Sequence, residues 1–194
     1  MAIIGPQLAA NIRAASVNTG VGWILMTEGI GLGVQNWINA NPMNVLLIGS
    51  TNGSAGAGTA SGKLLCPPAP PLIIGACRGA GMNGVMSDAL ATSVSIGLSN
   101  TINQSGFYFG PSVGVSGGAD ASKVVVSNSA TLIPFILGGM AAMGMTGVTL
   151  PILATGLGNG IAMNVALAFG TGIVTPVAPA PLPASGASPT SFVV

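Results

Sequence analysis

Residues 88–103 read DALATSVSIGLSNTIN, and within them Leu90, Val94, Leu98 and Ile102 recur every four positions. That spacing sets four branched apolar side chains on one face of a helix. Ser87 or Asp88 suits the N-cap, because a short polar side chain there accepts a hydrogen bond from the first free backbone N–H groups. This is the clearest helix in the chain. It sets the expectation for the rest: mainly α, with about four or five short Gly/Ala-rich helices joined by long loops, minor β and a Pro-rich C-terminal arm.

Working outward, Gln7 to about Val17 carries Leu8, Ile12 and Ala15 at helical spacing, while Gly20, Gly22, Gly29, Gly31 and Gly33 interrupt the apolar run that follows. Residues 49–62, GSTNGSAGAGTASG, read as a flexible loop, and the prolines from Pro67 to Pro71 as a stiff extended piece. Downstream, GFYFGPSVGVSGG (106–118) suggests a turn or short strand pair presenting Phe107, Tyr108 and Phe109 at a glycine-flanked tip. Prolines 134, 151 and 176 then divide an uncharged stretch into two helices, about 134–147 and 151–170. The last residues, TPVAPAPLPASGASPTSFVV, form a Pro/Ala/Ser arm. The organisation expected is an N-terminal helical region (1–48), a Gly/Ser- and Pro-rich loop (49–86), a small-residue helical core (87–175) and the arm (176–194).

An internal echo joins Leu8-Ala9-Ala10, Leu90-Ala91-Thr92 and Leu153-Ala154-Thr155, followed by Ile12, Val94 and Leu157. Identity is too thin to establish a duplication. In the last helix Ala154, Gly158, Ala162 and Ala166 fall four apart, a strip of small residues that lets helix backbones approach closely. It reads equally as an interface or as ordinary core filling.

Charge excludes more than any motif does. Only Arg13, Glu28, Lys63, Arg78, Asp88, Asp120 and Lys123 are ionised at neutral pH, 4% of a chain of 194 residues, and none follows Lys123. With 49% hydrophobic residues and a mean hydropathy of +0.77, an isolated copy would expose much apolar or neutral surface, which marks contact with partners or lipid. Nucleic-acid binding by charge is not expected, since the four cations are scattered singly.

The absence of histidine removes the commonest general base, triad partner and transition-metal ligand together. Asp88 fits a helix cap and Asp120 a glycine turn, so neither reads as a catalytic acid. Cys66 and Cys77 without histidine fall short of a zinc set; they could form a disulfide, remain buried thiols, or bridge to neighbouring copies. GSAGAGTASGKL (53–64) ends in Gly-Lys as a phosphate loop does, but has Ala57 where glycine is needed and Leu64 where Ser or Thr would hold magnesium. The glycines at 29, 31 and 33 lack dinucleotide-binding spacing. Trp23 and Trp37 fit an interface anchor or a core equally well. No enzyme activity, cofactor, metal site or small-molecule substrate is expected.

The rival reading is an integral membrane protein or pore, because residues 152–174, ILATGLGNGIAMNVALAFGTGIV, run without charge for a length that could cross a bilayer. Against it stand Asn159 and Asn164 near mid-span and flanks without Lys, Arg, Trp or Tyr. The N-terminus, MAIIGPQLAANIRAAS, shows no basic run ahead of a continuous apolar one, so a cleaved secretory signal is not evident. A third reading is an extracellular filament subunit.

The stretches SDALATSVSIGLSNTINQSGFYFGPSVGVSGGADASKVVVSNSATLIP (87–134) and LPILATGLGNGIAMNV (150–165) resemble small hydrophobic, Gly/Ala/Ser-rich virion proteins of tailed bacteriophages. The resemblance is one of texture over roughly residues 87–170 and carries no diagnostic motif. It implies a multi-copy virion component of tail, baseplate or neck, whose partners are copies of itself and other structural proteins.

Overall fold

A computed structural model describes residues 5–16, 20–40, 43–47, 57–105, 107–113, 118–123, 129–165, 169–173 and 187–193. The chain is mainly α. Its elements follow in the order α1 (Gly5–Ala14), α2 (Val21–Ala40), β1 (Met43–Leu47), β2 (Ala57–Leu65), α3 (Pro70–Gly79), α4 (Val85–Ser105), β3 (Phe107–Val113), β4 (Gly118–Lys123), α5 (Ser129–Ala142), α6 (Leu150–Val165), β5 (Phe169–Ile173) and β6 (Ala187–Val193). That order is one unit repeated three times: a short helix, a longer helix and two strands.

The three units close on themselves. Each helix packs on the next from α1 to α6, and α6 returns to α1. The strands likewise pair antiparallel in chain order, with β1 meeting both β2 and β6, so they form a closed barrel. Closure leaves no edge with unpaired N–H and C=O groups. A strand as poor in apolar residues as β2, AGTASGKLL, is therefore held by backbone pairing to β1 on one side and β3 on the other.

The repeat has a sequence register of about 64 residues that the three-residue echo misplaces. Leu90 of α4 and Leu153 of α6 correspond to Met26 of α2, not to Leu8, which lies in a short helix. From that anchor one apolar ridge recurs on each long helix: Met26, Ile30, Val34 and Ile38; Leu90, Val94, Leu98 and Ile102; Leu153, Leu157 and Ile161. All are buried except Leu153, which is partly so, and they meet in one core with Trp37, Leu8, Ile12, Ile73 and Ile136. Each such side chain contributes about 1.5–3 kcal/mol on leaving water.

Where the long helices begin, Gly20, Gly84 and Gly147 all have positive φ (108°, 132° and 141°), and each is followed by valine. Only glycine enters that region without strain, so the same turn is built three times. Gly81 and Gly144, also at positive φ, end α3 and α5 alike: the Met82 and Met145 amides reach back to the Cys77 and Met140 carbonyls, closing the helix C-terminus as a Schellman motif does.

Glycine also sets the spacing between units. A Cβ on Gly33 would lie 2.8 Å from Ile73 Cα, one on Gly97 2.7 Å from Ile136 Cγ1, and one on Gly160 2.6 Å from the Ile12 nitrogen. These are corresponding positions on α2, α4 and α6, each against the short helix of the following unit. One turn earlier the seams pair Gly29 with Cys77, Ser93 with Gly139 and Gly156 with Ser16, so one small residue always lets the backbones approach.

Several expectations are corrected. The described residues hold six helices, where about four or five were expected. The proline cluster does not hold the chain extended through Pro71: Pro70 and Pro71 occupy the first turn of α3, where a missing N–H costs nothing and a fixed φ favours the helix. Residues 57–65 form a strand, and the long helix α2 runs through Gly22, Gly29, Gly31 and Gly33 because tertiary packing outweighs their low helix propensity. Residues 187–193 of the expected arm are β6, paired to β1 and β5. Residues 176–186 and Val194, the rest of that arm, lie outside those described, as do residues 49–56 of the expected loop.

Candidate interaction surface

The charged residues on described helices are committed to one another. Arg13 of α1 lies 3.8 Å from the Glu28 carboxylate of α2 and donates to Thr27 Oγ1 at 3.1 Å. Arg78 of α3 donates to both Asp88 oxygens of α4, at 3.3 and 2.6 Å. Asp88 holds the Arg78 guanidinium above its ordinary pKa through that hydrogen bond and its charge. Each pair ties a short helix to the long helix of its own unit. Asp88 is therefore no N-cap: α4 starts at Val85, after Gly84, and Asp88 lies in the first turn, where a negative charge also suits the helix dipole. Asp120 falls within β4, not in a turn, and Lys63 within β2, where the Gly62-Lys63 pair of the phosphate-loop look-alike is held in ladder register with Tyr108 and Phe107.

Cys66 and Cys77 are two buried thiols and do not form a disulfide. The helical stretch that separates them rises about 1.5 Å per residue, which carries Cys77 away from Pro70 and beyond a bridge's reach. Burial pushes the Cys66 thiol up to about 12 and the Cys77 thiol up to about 11, with the Asp88 charge adding to the second. Protonated thiols of this kind are poor nucleophiles.

The strip of small residues on α6 packs inside the chain. Ala154, Gly158 and Ala162 are buried, and Gly158 lies against Ile133 of α5. Ala166 lies outside the described residues. The corresponding positions on α4 explain what such a strip does: Ser95, Ser99 and Asn103 follow one another along the helix and hold the link from β2 into α3. The Ala69 amide donates to Ser95 Oγ at 2.9 Å, the Cys66 amide to Asn103 Oδ1 at 2.6 Å, and Ser99 Oγ to the Cys66 carbonyl. On α2, Gln35 accepts from the Gly5 amide at 2.7 Å. Sequence reading missed this polar cradle, whose signal is three small polar residues at four-residue spacing beside the apolar ridge.

Phe107, Tyr108 and Phe109 are not at a tip. They open β3, in register with Lys63, Gly62 and Ser61 of β2; β3 also pairs with β4, which begins only at Gly118, where the expected strand pair of 106–118 ends. The uncharged run 152–174 is not one helix, because α6 ends at Val165 and 169–173 form β5. No helix among the described residues is long and apolar enough to cross a membrane. Among the described residues no group of His, Cys, Asp or Glu could hold a metal. An open depression at the seam of α1 and α6 is lined by Ala15, Ser16, Pro151, Ile152 and Thr155, none of them titratable.

No protein family, curated protein or solved structure matches this chain.

What the surface does display is apolar side chains at corresponding places in the three units. Val21, Val85 and Val148, each the residue after a positive-φ glycine, are 73%, 85% and 93% exposed. Ile24, Met86 and Met143 are exposed near them in the chain, at the same helix–helix turns. The long helices leave these turns and run toward the strands, so the three valines stand at the end of the helical ring remote from the barrel.

Proposed function

We propose that this chain is a structural subunit of a multi-copy protein assembly, namely a component of a bacteriophage virion in its tail, baseplate or neck. The observation that carries this reading is the threefold recurrence of a largely exposed valine on a chain with only seven charged residues. Single exposed apolar residues are ordinary, but the same one kept bare at three corresponding turns is a pattern a solitary protein gains nothing from. Low charge supports the same reading, since charge depletion characterises the cores of protein interfaces. The texture shared with phage virion proteins over residues 87–170 supplies the specific setting.

Fractionation tests it. Particles purified on a density gradient without detergent should contain the chain in stoichiometric amounts, at a fixed ratio to the major structural protein. Recovery only from a membrane fraction, and only with detergent, would sink the virion reading in favour of a membrane protein.

A further inference from the structure

We infer that Asn83 is a site of spontaneous deamidation, where the Gly84 backbone nitrogen displaces ammonia from the side-chain amide and leaves aspartate or isoaspartate at one of the three helix–helix turns. This goes beyond the assembly reading and does not depend on it. The turns share a positive-φ glycine followed by valine but differ in the residue before it, which is threonine at 19 and 146 and asparagine at 83. Of these, only asparagine sets a carboxamide carbon where the next backbone nitrogen can close a five-membered ring on it. The new bond joins the Gly84 nitrogen to Asn83 Cγ as the Cγ–Nδ2 bond breaks, and the amide proton leaves with Nδ2 as ammonia. Water then opens the cyclic imide at either carbonyl. One opening gives aspartate, and the other reroutes the main chain through the side chain as isoaspartate. Water is the sole co-reactant, and nothing is oxidised or reduced.

The turn meets each requirement of that chemistry. Asn83 and Gly84 are both exposed, so water reaches them. Gly84 has no Cβ to obstruct the attack, and the space where one would stand is open. Helix α4 starts at Val85, so the Gly84 N–H precedes the helix's own hydrogen-bond ladder. Asn83 Nδ2 donates to the Gly81 carbonyl at 3.5 Å, too long a contact to fix the side chain. The chain also carries its own control. Asn159-Gly160 is the same dipeptide, but it lies inside α6, where the Gly160 N–H belongs to the helix and the residue packs against the Ile12 backbone. Ring closure there has to wait for the helix to open. Asn52-Gly53, the third such pair, lies outside the described residues. One conversion at Asn83 adds a carboxylate and takes the chain from a net charge of +1 to neutral. The charge appears just ahead of the α4 N-terminus, where the helix dipole favours it.

The test is peptide mapping by mass spectrometry on the purified full-length chain, held at pH 8.5 and 37 °C, folded and in denaturant side by side. In the folded chain Asn83 should gain about 1 Da over days, as a mixture of aspartate and isoaspartate. Its rate should exceed that of Asn159 by roughly a hundredfold, because the latter reacts only through local opening of α6. In denaturant the two sites should convert at comparable rates, since both are Asn-Gly. An Asn83 that stays intact in the folded chain while it converts in denaturant overturns the inference. So does an Asn159 that keeps pace with Asn83 in the folded chain, or a product that is aspartate alone, which direct hydrolysis without the ring would give.

Discussion

Gly160 of α6 lies against Ile12 of α1 so closely that a Cβ there would sit 2.6 Å from the Ile12 nitrogen, joining the last helix of the chain to the first. Because the obstacle is backbone, no rotamer change relieves it. Gly160→Ala must push the two helices apart, and overpacking of this kind costs about 1–3 kcal/mol after the helix-propensity gain of alanine is spent. Gly75 in α3 and Gly138 in α5 are the contrasting cases, with open space where a Cβ would go. Gly75→Ala and Gly138→Ala should each stabilise by about 0.5–1 kcal/mol. Thermal unfolding of the three variants checks the opposite signs. If Gly160→Ala melts above the wild type, the α1–α6 seam is not tightly closed.

Ser95 and Ser93 are both buried on α4 but differ in what depends on them. Ser95 Oγ accepts from the Trp37 indole at 3.1 Å and from the Ala69 amide at 2.9 Å. Ser93 Oγ only donates back to the Ala89 carbonyl one turn earlier. Ser95→Ala would therefore leave two donors unpaired, at about 1–3 kcal/mol each, whereas Ser93→Ala should change stability by less than about 0.5 kcal/mol. Urea denaturation followed by tryptophan fluorescence separates the two. Equal midpoints would mean that the Trp37 and Ala69 donors find other partners.

Helix α4 was legible because its signal is local: Leu90, Val94, Leu98 and Ile102 declare a face by spacing alone, and all four are buried. Helix α3 was not. Its prolines look like breakers until one knows that Pro70 and Pro71 fall in the first turn, and that position is set by Ser95, Ser99 and Asn103, which hold the preceding link from across the core. The repeat was half legible. Gly-Val at 20–21, 84–85 and 147–148 stands in the sequence, but two residues are too few to recognise as a period until the positive φ angles and exposure show that each pair does the same thing. The strip Ala154, Gly158, Ala162 stands out by its four-residue spacing, which suits an interface and a core equally, and its burial within the chain assigns it to the core.

The Arg78–Asp88 pair is short, at 2.6 Å, yet the two side chains are 57% and 30% exposed. Water and salt screen such a pair, and holding two side chains in one geometry costs entropy, so close contact does not translate into stability. Asp88→Asn keeps the shape and should move the melting temperature by no more than about 2 °C at moderate salt. A larger fall would show that the pair anchors α3 to α4 beyond its Coulomb energy.

The buried thiols make stability fall in alkali. An unfolded cysteine releases its proton near 9.0, whereas folded Cys66 does so only near 12 and Cys77 near 11, because burial disfavours the thiolate. For a group whose folded pKa is raised, the native state is favoured fully below the unfolded value and progressively less as pH rises through the interval between the two. The loss therefore begins at about pH 9, grows to pH 11 for both thiols, and continues toward 12 for Cys66 alone, at roughly 1 kcal/mol per pH unit for each. Below pH 9 neither contributes a slope. Cys66→Ala and Cys77→Ala would each flatten the profile between pH 9 and 11, read as urea midpoints at fixed ionic strength. The same burial predicts slow labelling by iodoacetamide at pH 8 in the folded protein and rapid labelling of both cysteines in denaturant. Rapid labelling of the native chain would mean that the seam between Gly29 and Cys77, or the link at Cys66, opens far more readily than the rest of the core.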